Sequence, residues 1–177
     1  ANLRRADLRS ADLRSADLRE TDLRGANLRR ADLSYTNLSD ANLRSANLHY
    51  ANLSYANLSG ANLRDANLRD AHLPPFQIPQ EGELIVWKSL RGGLAKLRIP
   101  PAARRTASLV GRKCRAEFAE VLELPTAYEE CASMQDQSIK YRLGEVVKPD
   151  SYNEDVRLEC TNGIHFFLTR EEAEAWQ

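Results

Sequence analysis

Ala1-Asn2-Leu3-Arg4-Arg5, Ala6-Asp7-Leu8-Arg9-Ser10 and Ala11-Asp12-Leu13-Arg14-Ser15 open a run that continues to Ala71-His72-Leu73. Leucine recurs at every fifth position from Leu3 to Leu73, fifteen times in all. Asp or Asn precedes it in nearly every unit, with Ala one place earlier. A period of five fits neither the roughly 3.6 residues of a helical turn nor the roughly 2.0 of an extended strand. It implies copies of one short unit stacked into a solenoid. One large and one small apolar residue per unit suit a narrow interior; Thr21 and Thr36 replace Ala and remain small. A buried leucine contributes roughly 1.5–3 kcal/mol, and a unit buries it only against stacked neighbours. The Asp or Asn before each Leu is suited to bonding nearby backbone at a turn.

This A(D/N)LXX pattern, over residues 1–73, resembles the pentapeptide-repeat family. The resemblance implies a mainly-β fold, a right-handed quadrilateral β-helix with four pentads per coil. Fifteen pentads then make about four coils stacked at about 4.8 Å. On that geometry residues twenty apart share a column. The residue after Leu gives Arg4, Arg24, Arg44 and Arg64 on one face and Arg9, Arg29, His49 and Arg69 on the next. Arg14, Ser34 and Ser54 form a third column, and Arg19, Ser39 and Ser59 a fourth. Tyr35 stacks under Tyr55, with Tyr50 on the neighbouring face.

The repeat holds eleven Arg against nine acidic residues and no Lys. Two readings follow. The arginine columns are a mixed, solvated face, or they are a docking strip for an acidic partner or phosphates, which the planar guanidinium fork suits. Some proteins of the resembled family mimic DNA toward type II topoisomerases, which requires a strongly acidic rod; this rod is slightly basic. A small basic excess is also a poor match to a binder dominated by phosphate contacts.

The whole chain is formally neutral, so no global field steers it toward nucleic acid or a membrane surface. No stretch approaches the ~18 consecutive apolar residues of a membrane span. Three cysteines, an odd number, point away from a disulfide framework and toward a reducing, cytoplasmic setting. The chain opens in repeat register at Ala1 without Met, so upstream coils or a signal are expected to be missing. A first coil with an unpaired edge invites end-to-end pairing of two copies.

The pattern ends at Pro74-Pro75-Phe76-Gln77-Ile78-Pro79, where proline removes amide donors. The expected organisation is a solenoid over 1–73, a Pro-rich linker over 74–82, and a small mainly-β α+β domain over 83–177. Strands are expected at Glu83–Ser89 and Leu94–Ile99 around Arg91-Gly92-Gly93, at Phe118–Leu124, at Tyr141–Val147 and at Gly163–Leu168. Thr169-Arg170-Glu171-Glu172 is a capping box that opens a short helix reaching Trp176. Phe76, Ile78 and Trp87 are candidates to plug the end of the rod. Ile85-Val86-Trp87-Lys88, Leu97-Arg98-Ile99-Pro100, Gly111-Arg112-Lys113-Cys114-Arg115-Ala116 and Cys160-Thr161-Asn162-Gly163-Ile164-His165-Phe166-Phe167 resemble an uncharacterised domain that accompanies pentapeptide repeats in phage and bacterial proteins. That resemblance carries no mechanism with it.

Cys114, Cys131, Cys160 and His165 match a zinc site in number, but without a Cys-x-x-Cys pair. Buried thiols in a β core are the competing reading. His165, Cys160 and Cys114 are also the candidates for nucleophilic or acid–base chemistry, against a hydrogen-bonded structural His. Arg112, Lys113 and Arg115, with Arg104 and Arg105, form either a solvated loop or an anion pocket. No phosphate loop, dinucleotide fingerprint or hydrolase elbow is present in the sequence, so no cofactor is expected. Three functional readings result. The first is a non-enzymatic scaffold, a rod capped by the C-terminal domain and docking a protein partner. The second is a DNA- or topoisomerase-linked module acting through the arginine faces. The third is an enzyme or phage–host conflict factor with its site in the C-terminal domain, which a cavity joining His165 to the basic segment would favour.

Overall fold

The computed structural model describes residues 1–75, 78–125 and 128–176. It divides into two compact units, Ala1–Phe76 with Leu109–Gly111, and Gln77–Ser108 with Arg112–Gln177. The fold is mainly β. Among the described residues no helix is long and apolar enough to cross a membrane.

In the repeat unit each pentad contributes one short extended bridge and one turn. Parallel bridges join Asn2 to Asp22, Asp7 to Asn27 and so on to Asn52 with His72, always twenty residues apart. The Leu3 amide donates to the Asp22 carbonyl at 2.8 Å and the Arg5 amide to the Arg24 carbonyl at 3.0 Å; this pair of bonds recurs up the stack. Each turn closes when the Ala amide reaches the carbonyl of the preceding Leu, as in Ala6 to Leu3 at 3.1 Å. That closure puts the fifth residue at positive φ: 56° at Arg5, 58° at Tyr35, 53° at Asp70. A side chain in this region costs roughly 1–2 kcal/mol. Gly25 and Gly60 avoid that cost at their corners; elsewhere the stacked leucines and ladder bonds offset it.

Leu23 through Leu63 are buried with the alanines between them, whereas Leu3, Leu8, Leu13, Leu18, Leu68 and Leu73 are only partly covered. Thr36 is buried and donates from Oγ1 to the Leu13 carbonyl at 2.7 Å, so its hydroxyl is satisfied inside the stack. The Asp and Asn side chains accept from the amide two residues on, as Asn2 does from Arg4 and Asn52 from Ser54. Some also bond up the column: Asn52 Nδ2 donates to Asp32 Oδ1 at 3.1 Å.

The second unit holds β1 (Leu84–Leu90), β2 (Gly93–Ile99), β3 (Arg105–Ala107), β4 (Cys114–Ala116), β5 (Ala119–Glu123), β6 (Glu130–Ala132), β7 (Lys140–Arg142), β8 (Val146–Val147), β9 (Ile164–Phe166) and α1 (Arg170–Glu174). Three antiparallel sheets run in the orders β1-β2-β5-β8, β3-β4-β9 and β6-β7. The β1–β2 hairpin turns at Arg91 and Gly92, pairing Leu90 with Gly93. A two-residue turn of this kind calls for positive φ, and Gly92 has φ 102°. Bridges from Trp87 to Phe167 and from Leu90 to Ser133 tie the sheets around a core that includes Val86, Leu97, Val121, Ile164 and Phe166. The Thr169 capping box forms as expected.

Several expectations need correction. The Tyr141–Val147 segment is two strands, because the chain turns at Leu143 and Gly144, where φ is 76°. The helix ends at Glu174, short of Trp176. The strands Arg105–Ala107, Cys114–Ala116 and Glu130–Ala132 were not anticipated; at three residues each they are too short to show a period. Ile78 is buried in the core of the second unit, and Trp87 lies on β1 beside Lys96 and Arg170. Leu109 and Val110 pack on the leucine stack, with the Gly60 amide donating to the Val110 carbonyl at 2.7 Å. Phe76, the third candidate, falls outside the described residues.

Candidate functional site

The arginine columns of the repeat are less uniform than their sequence suggests. Where Asp precedes Leu, the arginine folds back on it. Arg9, Arg14 and Arg19 each place Nη2 at 2.7 Å from Asp7, Asp12 and Asp17, and Arg24 at 2.5 Å from Asp22. These bonds hold the aspartates below the usual carboxylate range, to about 2 at Asp12 and Asp22. Arg4 adds a looser contact to Asp22 at 3.8 Å. Where Asn precedes Leu, that partner is missing. Arg44 and Arg69 reach Asp65 and Asp70 at 3.4 Å, whereas Arg29 and Arg64 make no ion pair among the described residues. Tyr35 and Tyr55 stack at 5.0 Å and 12°. Tyr50 leans on His49, with Arg30 6.0 Å from its ring.

In the second unit the structure separates the sulfur ligands. Cys114 lies on β4 and Cys131 on β6, both buried and in different sheets, whereas Cys160 is exposed. Among the described residues no group of three or more His, Cys, Asp or Glu could hold a metal ion. Burial pushes the Cys114 thiol up to about 12, so a thiolate nucleophile is not available there near neutral pH.

The basic segment is not a solvated loop. Arg115 is fully buried at the middle of β4, directly opposite Thr106 and His165. Its guanidinium donates to the carbonyls of Asn153 at 3.0 Å, Asp155 at 2.8 Å, and Leu158 and Glu159. All three guanidinium nitrogens, through four of their five N–H groups, are thus engaged in holding the 153–159 loop. Arg112 pairs with Glu172 at 2.6 Å. Arg104 pairs with Glu117, and Arg105, buried, reaches the Gly82 carbonyl at 2.8 Å.

Lys113 takes a different course. It is buried, donates to Cys160 Sγ at 3.4 Å, and sits with Nζ 3.5 Å from the centroid of Trp176. It lines a cavity of 300 Å³ with His165, Lys88, Ser89, Ser133, Met134, Gln135, Phe167 and Trp176. Of the basic segment only Lys113 shares this cleft with His165; Arg112 and Arg115 do not line it, so the cavity expected of the enzyme reading is met in part. His165 Nε2 is buried without a hydrogen-bond partner among the described residues. Burial, then the charges of Lys88, Lys113 and Arg115, pull its pKa down to about 3, so the ring is neutral at physiological pH.

Lys88 was missed by the sequence reading, although a signal was there. Alternation along β1 puts it on the same inward face as Val86 and Leu90. Its ammonium donates to the His165 carbonyl at 2.9 Å and lies 5.5 Å from the Tyr141 ring centroid. Burial first, and then Lys113, pull it down to about 8. A second cavity of 230 Å³ shares Lys88, Ser133, Gln135 and His165, and adds Asp136 and Asp150.

Comparison with known proteins fits this division. Residues 1–25, 26–65 and 41–74 match pentapeptide repeats. Residues 74–173 match a family of unknown function, DUF5758. No curated protein matches the chain. Among solved structures it is similar to Rfr23, a pentapeptide repeat protein of the cyanobacterium Cyanothece 51142: 40% identity over 42% of this chain and 50% of that one, TM-score 0.41. A pentapeptide repeat protein of the Arabidopsis thaliana thylakoid lumen shares 33% identity over 40% of this chain and 48% of that one, TM-score 0.39. HetL of Nostoc sp. strain PCC 7120, involved in regulating heterocyst differentiation, shares 39% identity over 40% of this chain and 37% of that one, TM-score 0.21. The chain thus spans half or less of each of these proteins. The chain carries pentapeptide repeats over residues 1–74 and belongs, through residues 74–173, to the DUF5758 family of unknown function.

Proposed function

We propose that this protein is a non-enzymatic interaction scaffold. Its repeat unit, read as a right-handed quadrilateral β-helix of about four coils, docks a protein partner through its surface columns. The observation that carries this reading is the stacked pair Tyr35 and Tyr55, each 63% exposed. The leucine stack is complete without these rings, which stand on neighbouring layers of an otherwise polar surface. Tyr50 and Arg30 lie on the adjacent row, and Arg29, on that same neighbouring face, carries a charge that no acid of the repeat neutralises among the described residues. The few residues that dominate protein interfaces are enriched in Trp, Tyr and Arg. A partner surface presenting carboxylates around an apolar patch matches this set.

The test is affinity capture from the source cell with the intact chain and with a Tyr35→Ala/Tyr55→Ala variant. The expected result is a protein retained by the first and lost by the second. The same proteins retained by both would reject the docking surface. Retention of duplex DNA that falls steeply with salt and disappears in Arg29→Ala/Arg64→Ala would assign a nucleic-acid role instead.

A further inference from the structure

Lys88 and Lys113 are two cations that the C-terminal unit buries with no carboxylate partner for either among the described residues. Lys88 is 7% exposed and Lys113 is 5% exposed. Among the described residues the partners of Lys88 are the His165 carbonyl and the Tyr141 ring, and those of Lys113 are Cys160 Sγ and the Trp176 ring. Glu159 meets the Lys113 backbone amide, at 3.4 Å, and the Glu172 carboxylate is taken by Arg112. An ammonium carries three donors, and Lys88 spends one of them on a carbonyl. Burial of a cation is costly without a counter-charge, and these two act on each other, since Lys113 adds to burial in depressing Lys88.

Among the described residues, no acidic side chain lines the 300 Å³ cleft that both lysines share. Ser133 and Gln135 add neutral hydrogen-bonding groups, and Met134, Phe167 and Trp176 form an apolar side. Phe167 and Trp176 are packed ring to ring at 5.8 Å. That volume is at the lower end of ligand pockets, about 300–1,000 Å³, so it suits a small molecule rather than a polymer segment.

We infer that this cleft binds a small organic anion, a carboxylate on a flat apolar body, with the carboxylate between Lys88 and Lys113 and the body against Met134, Phe167 and Trp176. The bound charge supplies a counter-ion that neither lysine has among the described residues. The neighbouring 230 Å³ cavity carries Asp136 and Asp150, whose charges repel an anion and keep it on the Lys113 side. The groups facing Lys88 are Lys113, neutral His165 and Tyr141, with Asp136 and Asp150 across the shared wall. Loss of the Lys88 proton above about pH 8 therefore weakens binding. This inference concerns the C-terminal unit and does not depend on the docking role proposed for the repeat.

Benzoate is the probe, benzamide its uncharged match in shape, and inorganic phosphate the bare oxyanion. Each is titrated into the full chain near neutral pH, followed by calorimetry and by tryptophan emission, since Trp176 lies in the wall. Saturable benzoate binding is expected, about tenfold or more tighter than benzamide or phosphate. Lys113→Met and Lys88→Met should each weaken it about tenfold or more, and benzoate should raise the melting temperature of the unaltered protein as its concentration rises. Tyr35→Ala/Tyr55→Ala should leave benzoate binding unchanged, which separates this site from the repeat. The proposal is overturned if benzoate does not saturate the full chain, or if benzamide or phosphate binds as tightly. Wild-type affinity in both Met variants, with native circular dichroism, overturns it too. Should the Met variants fail to fold, the benzoate–benzamide comparison on the unaltered chain decides.

Discussion

Arg24 and Arg115 show how differently the two units treat a guanidinium. Arg24 lies on the outside of the stack, clasped by Asp22 two residues earlier in the same pentad. Its environment is local and recurs wherever Asp-Leu-Arg recurs. Arg115 is fully buried and holds carbonyls of a loop some forty residues later in the chain. The repeat is thus a unit of short-range rules applied many times, so most single contacts in it are replaceable. The C-terminal unit is built from unique long-range contacts, where one side chain organises a whole segment.

The largest expected effect tests that contrast directly. Arg115→Met leaves the half-buried carbonyls of the 153–159 loop without their donor and should destabilise the C-terminal unit by about 1–3 kcal/mol for each that stays unpaired. Both tryptophans, Trp87 and Trp176, belong to that unit, so urea unfolding followed by tryptophan emission reads it. Arg24→Met should leave the same midpoint unmoved; an equal shift from both would break the contrast. Next, Leu43→Ala opens a cavity in the fully buried part of the stack and should cost about 2–5 kcal/mol, with a smaller loss for the partly covered Leu3→Ala. Far-ultraviolet circular dichroism during denaturant unfolding measures both.

Acid should separate the units in order. His165 binds its proton more readily unfolded than folded, because its pKa falls from 6.5 to about 3 on folding. Stability of the C-terminal unit is therefore lost as pH drops from about 6.5 toward about 3, by up to about 1.4 kcal/mol per pH unit. His165→Gln should flatten that slope. The repeat aspartates are shifted the other way, from 3.8 to about 2 at Asp12 and Asp22. Their contribution is complete above 3.8 and fades only below it. Tryptophan emission should report acid unfolding of the C-terminal unit at a higher pH than the loss of β-stack circular dichroism. The smallest effect is expected from Thr169→Ala, which removes the cap of α1 and should cost about 0.5–2 kcal/mol in the same tryptophan assay.

The repeat was legible because five-residue periodicity leaves one consistent register. Columns of residues twenty apart, the Tyr35–Tyr55 stack and the Asx bonds all follow from it. In the C-terminal unit the longer strands β1, β2 and β5 were legible from alternation and flanking glycine or proline. The strands β3, β4 and β6 were not, because each has three residues and none sits in a run of large apolar residues like the Ile164–Leu168 run around β9. Arg105 and Arg115 misled for a physical reason: guanidinium groups normally stay at the surface, and only carbonyls distant in sequence make their burial tolerable. His165 was legible as a candidate. Lys113 was legible only as part of a basic cluster, either a solvated loop or an anion pocket, since its burial depends on Trp176 far along the chain. Lys88 could have been found, because Val86 and Leu90 flank it at strand spacing.

The central claim is that residues twenty apart lie on adjacent layers of the repeat, with leucines inside. Nitroxide labels at Tyr35→Cys and Tyr55→Cys, compared with Tyr35→Cys and Ser45→Cys, both with Cys160→Ser, measure it through electron spin resonance. The first pair is predicted to sit one layer apart, about 5 Å between backbones, and to show strong spin–spin broadening, whereas the second pair should show none. Equal broadening in the two pairs, or broadening in the second alone, would contradict the account.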